Sequence, residues 1–217
     1  ITQWLKSNPD GYALWFTNRC RTSIHSGVMA ESVIPFDKYT KEKTVLQRIV
    51  QILKRHRDIM FANDKEDKPI SIIITTLAAK AYNGEQDLVD GLINVAANLT
   101  KGISKGMNGE DWIGNPVNPE ENFADKWPSA PKKRRNFYKW TESLQCDIEE
   151  MINGINRTEI FNSIDRCFGH NISCRASELL SERRKASIAA GTTLLSSTGV
   201  VGASGKGINT TNTFYGK

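Results

Sequence analysis

The chain has 217 residues, a mass of 24.3 kDa, 39% apolar and 24% charged side chains, and a formal charge of +5 with a pI near 9.0. That is globular composition for one large domain or two small ones, and it excludes a disordered chain, a collagen and a disulfide-dense mini-protein. No window of 18 consecutive apolar residues occurs, so no membrane-spanning helix is expected, and the mild basicity suits either a handler of phosphates or a surface of solvated lysines.

The chain opens Ile1-Thr2-Gln3-Trp4, with no Met and no basic segment ahead of an apolar one. No secretory signal is expected, the location is read as cytoplasmic, and the start reads as interior to a longer protein. Asn8-Pro9-Asp10 places a cap before a first-turn proline, and Tyr12, Trp15 and Phe16 give a helix over 8–21 an aromatic face. Residues 22–40, with Pro35, read as loop. The strongest helix is 41–62, where Leu46, Ile49, Val50, Leu53 and Met60 follow helical spacing and Val45, Ile52, His56 and Ile59 widen the stripe. A polar turn, 63–68, leads to Pro69. The β-branched run 70–76 has strand propensity, but its length and Ala-rich continuation favour a buried helix over 70–82. Another amphipathic helix is expected over 85–103.

Residues 104–135, with Asn115-Pro116-Val117-Asn118-Pro119, read as a long ordered loop or short extended segment. Helical spacing resumes over 136–156, and shorter helices are expected at 158–168 and 175–190. From Gly191 to Thr213 the chain is Gly, Ser, Thr and Asn with one charge, Lys206, and reads as a flexible tail. The expected fold class is mainly α. A connecting segment, 1–40, precedes an all-helical body, 41–190, in which 41–62 is most central, and a tail, 191–217, follows.

No P-loop, G-x-S-x-G or H-E-x-x-H motif is present. The carboxylate pairs Asp147/Glu149 and Glu149/Glu150 lie in a helical pattern and read as a solvated face. The chain therefore shows no catalytic centre of its own. Cys146, Cys167, His170 and Cys174 could supply four zinc ligands, but the spacing is not a knuckle pair, and free thiols are the alternative. Lys54-Arg55-His56-Arg57-Asp58 is the densest constellation. Lys54 could serve as a point charge for a polyphosphate, or pair with Asp58 four residues on. Lys132-Lys133-Arg134-Arg135 could attract nucleotide or nucleic acid, or be a solvated basic loop.

The runs "LQRIVQILKRHRDIMF" and "KPISIIITTLAAKAYNGE" over Leu46–Glu85, then "GNPVNPEENFADKW" at 114–127 and "SNPDGYALWF" at 7–16, closely resemble the bacterial CD-NTases. These are cyclic-oligonucleotide synthases of the CBASS anti-phage system, related to cyclic GMP-AMP synthase and oligoadenylate synthase. The resemblance covers about residues 4–140. It implies the C-terminal half of a nucleotidyltransferase of the polymerase-beta-like fold, with ATP- or GTP-type substrates. Lys54 and Ser71 match the family's triphosphate contacts, and Arg57 lies beside them. Asn122 and Asp125 would lie on a pocket loop, although a turn wrapping Phe123 and Trp127 onto the core explains the same residues. The Gly-Ser loop and the acidic ligands for Mg²⁺ are expected upstream, so the isolated chain should be inactive. The resemblance also implies an E1/E2-like ligase as a partner acting on Gly216 once Lys217 is trimmed; an uninvolved chain end is the alternative. The rival reading of the whole is a non-catalytic helical module that binds a partner protein or RNA.

Overall fold

The computed structural model describes residues 8–21 and 43–190, together with the strand residues 194–195, 201–202 and 206–207. The loop expected at 22–40 and the conjugation residue Gly216 lie outside the described residues. The chain divides into two compact units, Ile1–Ser163 and Ile164–Lys217. The boundaries expected at 40/41 and 190/191 do not coincide with that division.

In the first unit, α1 is Pro9–Arg21, α2 Val45–Met60, α3 Ser71–Ala81 and α4 Leu88–Asn98, followed by a 3-10 turn over Leu99–Gly102. A capping box starts α2: Thr44 Oγ1 accepts from the Gln47 amide, and Gln47 Oε1 accepts from the Thr44 amide. Leu46, Ile49 and Leu53 are then fully buried, each contributing about 1.5–3 kcal/mol by burial. Helix α2 packs against α1, α3 and α4 and against α5, Pro131–Asn153. It is the central element that its two-faced stripe predicted. The close approach of α4 depends on Gly91, where an added Cβ would lie 2.9 Å from Ile49 Cδ1. Helix α3 is the helix that length favoured over strand propensity, with every residue from Ile73 to Ala79 buried.

The expectation of an all-helical body over 41–190 is corrected between α4 and α5. There β1 (Ser104–Lys105) pairs antiparallel with β2 (Asp111–Trp112), and β3 (Gly114–Asn115) pairs antiparallel with β4 (Asn118–Asn122). Two asparagines hold these hairpins. Asn115 Oδ1 accepts from the Val117 amide, an Asx turn, while its Nδ2 donates to Glu121. Asn122 Oδ1 accepts from the amides of Ile113 and Ala124, and its Nδ2 donates to the Asp111 carbonyl. Helix α5 begins at Pro131, earlier than its apolar spacing indicated, because proline at the first position sets its start. Trp127 is buried against Phe137.

Helix α6 (Arg157–Phe168) runs across the division between the units. Gly169, at φ 89°, ends it and starts α7, His170–Ala189, five residues earlier than expected. In the stretch expected to be a flexible tail, β5 (Leu194–Leu195) pairs with both β6 (Val201–Gly202) and β7 (Lys206–Gly207), all antiparallel. Two-residue strands leave no alternation to read in a sequence. Among the described residues no helix is long and apolar enough to cross a membrane.

Candidate functional site

The last turn of α2 meets the first residue of α3 through Arg57. This side chain is buried. Its Nη1 donates to the Pro69 carbonyl at 2.9 Å and to Ser71 Oγ at 3.0 Å, and its Nε and Nη2 both donate to Asp58 Oδ1. Lys68 Nζ donates to the same carboxylate oxygen at 2.7 Å. Burial alone would raise the Asp58 pKa, but the Lys68 and Arg57 contacts outweigh it and hold the carboxyl below its ordinary value. Asp58 thus pairs with Arg57 and Lys68, not with Lys54 as the spacing had offered. Arg57, one of the expected nucleotide ligands, is taken up by Asp58, Pro69 and Ser71.

Ser71 is exposed and opens α3, where no side chain caps the helix. First-turn amides and the helix dipole favour an anion there. Lys54, one turn before Arg57 on α2, is half-buried and makes no hydrogen bond or ion pair among the described residues. Burial first, and then the neighbouring Arg57 charge, hold its ammonium below the ordinary lysine pKa.

A buried network lies elsewhere on α2. Trp140 Nε1, which can only donate, gives its proton to His56 Nδ1 at 3.0 Å. The imidazole proton therefore sits on Nε2, which donates to Asp147 Oδ2 at 2.9 Å; Ser143 Oγ donates to the same oxygen at 3.2 Å. Asp147 is 17% exposed, which corrects its reading as part of a solvated face. The sequence carried a signal for this trio: His56 stands three residues from Leu53 on the apolar stripe, and Trp140 and Asp147 are seven apart on one face of α5.

A cleft of about 640 Å³ opens beside the start of α3, with Ile70, Trp112, Glu120, Phe123, Asp125 and Trp127 in its lining. Asp125 is exposed and makes no side-chain bond among the described residues, so it remains a pocket-loop candidate. Asn122 also lines the cleft, but its side-chain oxygen and nitrogen hold the hairpins.

The basic run 132–135 forms the start of α5, where cations oppose the helix dipole. Acidic partners offset this. Lys132 Nζ pairs with Asp64 at 3.0 Å and Asp67 at 2.8 Å, Lys133 pairs with Asp67 at 3.3 Å, and Arg134 pairs with Asp111 while stacking over the Tyr138 ring. Asp111, which Lys105 also pairs, went unnoticed in the sequence; its side chain is only 4% exposed. Of the zinc candidates, Cys146 and Cys174 are exposed and Cys167 is buried. His170 Nε2 lies 3.3 Å from Cys174 Sγ, and its Nδ1 contacts Asp165 at 2.9 Å. Among the described residues, no further ligand completes a metal set around that pair.

No protein-family model matches the chain. A c-di-GMP synthase of Roseivirga ehrenbergii is 31% identical to it over 185 residues, covering 82% of this chain and 48% of that protein. The cyclic dinucleotide synthase CdnG of Bradyrhizobium diazoefficiens is 23% identical over 144 residues, 65% of this chain and 35% of its own length. The solved structure of the Bradyrhizobium diazoefficiens CD-NTase CdnG in complex with GTP shares the fold, with a TM-score of 0.60 at 20% identity over 82% of this chain and 57% of that one. These relatives and the related fold support a bacterial CD-NTase, of which the chain covers only part. It spans about half the length of the first of these curated CD-NTase relatives and about a third of the second. Within this chain, Lys54 and Ser71 stand on the two helices that Arg57 ties together.

Proposed function

We propose that the chain is the C-terminal, triphosphate-holding half of a cyclic dinucleotide synthase that makes a second messenger for anti-phage defence. Relatives that make cyclic dinucleotides, and a related fold solved with GTP, support a guanine nucleotide among the substrates. The observation that carries the reading is Lys54: a half-buried cation with no described anionic partner, on the helix whose Arg57 fastens Ser71 at the open start of α3. A triphosphate supplies the anion that both positions favour. Lys54 binds it as a point charge and Ser71 donates its hydroxyl.

Magnesium would neutralise the triphosphate and activate the attacking hydroxyl. The carboxylate bonded into the Arg57–Ser71 network does not fit it. Asp58, the carboxylate bonded to the same arginine as Ser71, already pairs with Arg57 and Lys68. No step through the metal follows from this chain, and its ligands belong to the part of the parent that the chain does not span. The rival module reading loses its strongest feature, because three of the four cations at 132–135 are paired within the molecule.

The test is nucleotide binding to the full-length parent and its Lys54→Ala variant. Loss of one charge-assisted phosphate contact should weaken binding by about 1.5–3 kcal/mol, with little change in melting temperature. Unchanged affinity would overturn the assignment.

A further inference from the structure

Arg57 offers more than a fastening between two helices. A serine hydroxyl has one proton to donate and two lone pairs to accept with. At Ser71 one lone pair receives Arg57 Nη1 at 3.0 Å, and the same nitrogen also donates to the Pro69 carbonyl at 2.9 Å. The other side of the guanidinium is anchored by two bonds to Asp58, which Lys68 holds in turn. The fork is therefore fixed before any ligand arrives. A hydroxyl that accepts from a fixed donor must turn its own proton away from that donor. Ser71 is exposed, whereas Arg57 is buried beneath it.

We infer that Arg57 is a positioning residue that acts on the nucleotide through Ser71: it occupies the serine oxygen as a donor, so that the Ser71 hydroxyl proton points outward to a phosphate oxygen. The inference rests on the reading of Ser71 as a triphosphate contact. Arg57 makes no contact with phosphate in this scheme. It removes the orientational freedom that the hydroxyl would otherwise lose on binding. A lysine in its place keeps the charge, but a single ammonium cannot reproduce the planar fork that reaches Asp58, Pro69 and Ser71 together.

The experiment uses the full-length parent synthase with Ser71→Ala, Ser71→Thr, Arg57→Lys and the double variant Ser71→Ala/Arg57→Lys, measuring KM for the nucleoside triphosphate, kcat and melting temperature. Ser71→Ala should raise KM about tenfold, the size of one lost bond to a charged group, with kcat nearly unchanged. Arg57→Lys should raise KM into the same range, and the double variant should be no worse than Ser71→Ala alone. Ser71→Thr, which keeps the hydroxyl, should bind like wild type. If Arg57→Lys melts far below wild type, Arg57→Met, which keeps the aliphatic stem but offers Ser71 no donor, replaces it in the same cycle. Wild-type KM in Arg57→Lys, or effects that multiply in the double variant, overturns the positioning role while leaving Ser71 as a ligand. Unchanged KM in Ser71→Ala overturns the nucleotide reading itself and this inference with it.

Discussion

Replacing His56 by leucine separates a paired buried network from a merely well-packed one. The change keeps an apolar side chain of similar volume on the stripe of α2 but removes both ring nitrogens. Trp140, fully buried, then has an indole N–H with no acceptor where its partner stood 3.0 Å away. An orphaned buried donor costs about 1–3 kcal/mol. Asp147 loses the 2.9 Å bond from His56, but it keeps Ser143 and some solvent contact, so its share is about 1 kcal/mol. The expected loss is about 2–4 kcal/mol, or about 5–15 °C in melting temperature for a domain of this size. The decisive arm is the double variant His56→Leu/Trp140→Phe. Removing both partners of the Trp140–His56 bond leaves no orphan at that bond, while the loss at Asp147 remains, so the double variant should be about 1–2 kcal/mol more stable than the sum of the single losses implies. Urea unfolding of all four proteins measures this through the midpoint and slope. Additivity within about 0.5 kcal/mol would refute the bond as a coupled element.

Two further predictions concern the acidic residues. Asp111→Ala should lower stability by about 1–3 kcal/mol in a thermal melt, below the 3–5 kcal/mol typical of breaking an enclosed pair, because Arg134 and Lys105 can return to water. Their side chains are 45% and 62% exposed. A loss above about 5 kcal/mol would contradict that solvent access. Stability should also fall in acid. Burial would raise the carboxyls of Asp58 and Asp111, but the hydrogen bonds and charges of their basic partners prevail, and Lys132 and Lys133 lower Asp67. All three lie below the ordinary carboxyl value of 3.8. A depressed native pKa contributes stability above the unfolded value and loses it as pH falls through the native one. The urea midpoint should therefore drop from about pH 4 downward, and a flat profile there would exclude these pairs as contributors.

The helices were legible because their apolar residues repeat at a period that burial enforces. Leu46, Ile49 and Leu53 announce α2, and the length of the apolar run settles α3 against its β-branched composition. Residues 104–135 read as an ordered loop or short extended segment, and the short strands bear out the second alternative, but the hairpin pairing over 104–122 was not legible. The longest strand reads Asn118-Pro119-Glu120-Glu121-Asn122, and what holds it is side-chain amide bonding to the backbone rather than an alternating apolar face. The site divided in the same way. Lys54 and Ser71 came from a local resemblance, whereas the bonds Arg57–Ser71, Asp58–Lys68 and Asp111–Arg134 span 14, 10 and 23 positions, which spacing rules do not reach. His56 joins Asp147 across 91 positions.

Lys54 gives the sharpest pH signature. Burial, reinforced by Arg57, disfavours its charged form in the free protein, and no described carboxylate offsets this. A bound triphosphate would favour the charged form and move the pKa back toward or above the ordinary 10.5. Binding must then take up protons in the interval between the free and bound values. By linkage, affinity should rise as pH falls from about 10 through the depressed value and level off below it. Lys54→Met keeps most of the aliphatic stem and removes the titrating group, so its affinity should be weaker and should lack this component. Calorimetric titration of the full-length parent with nucleotide, in two buffers of different ionisation enthalpy, measures the proton uptake directly. Equal uptake by wild type and Lys54→Met would show that the proton is taken elsewhere, and that the one half-buried lysine of α2 does not meet the phosphate.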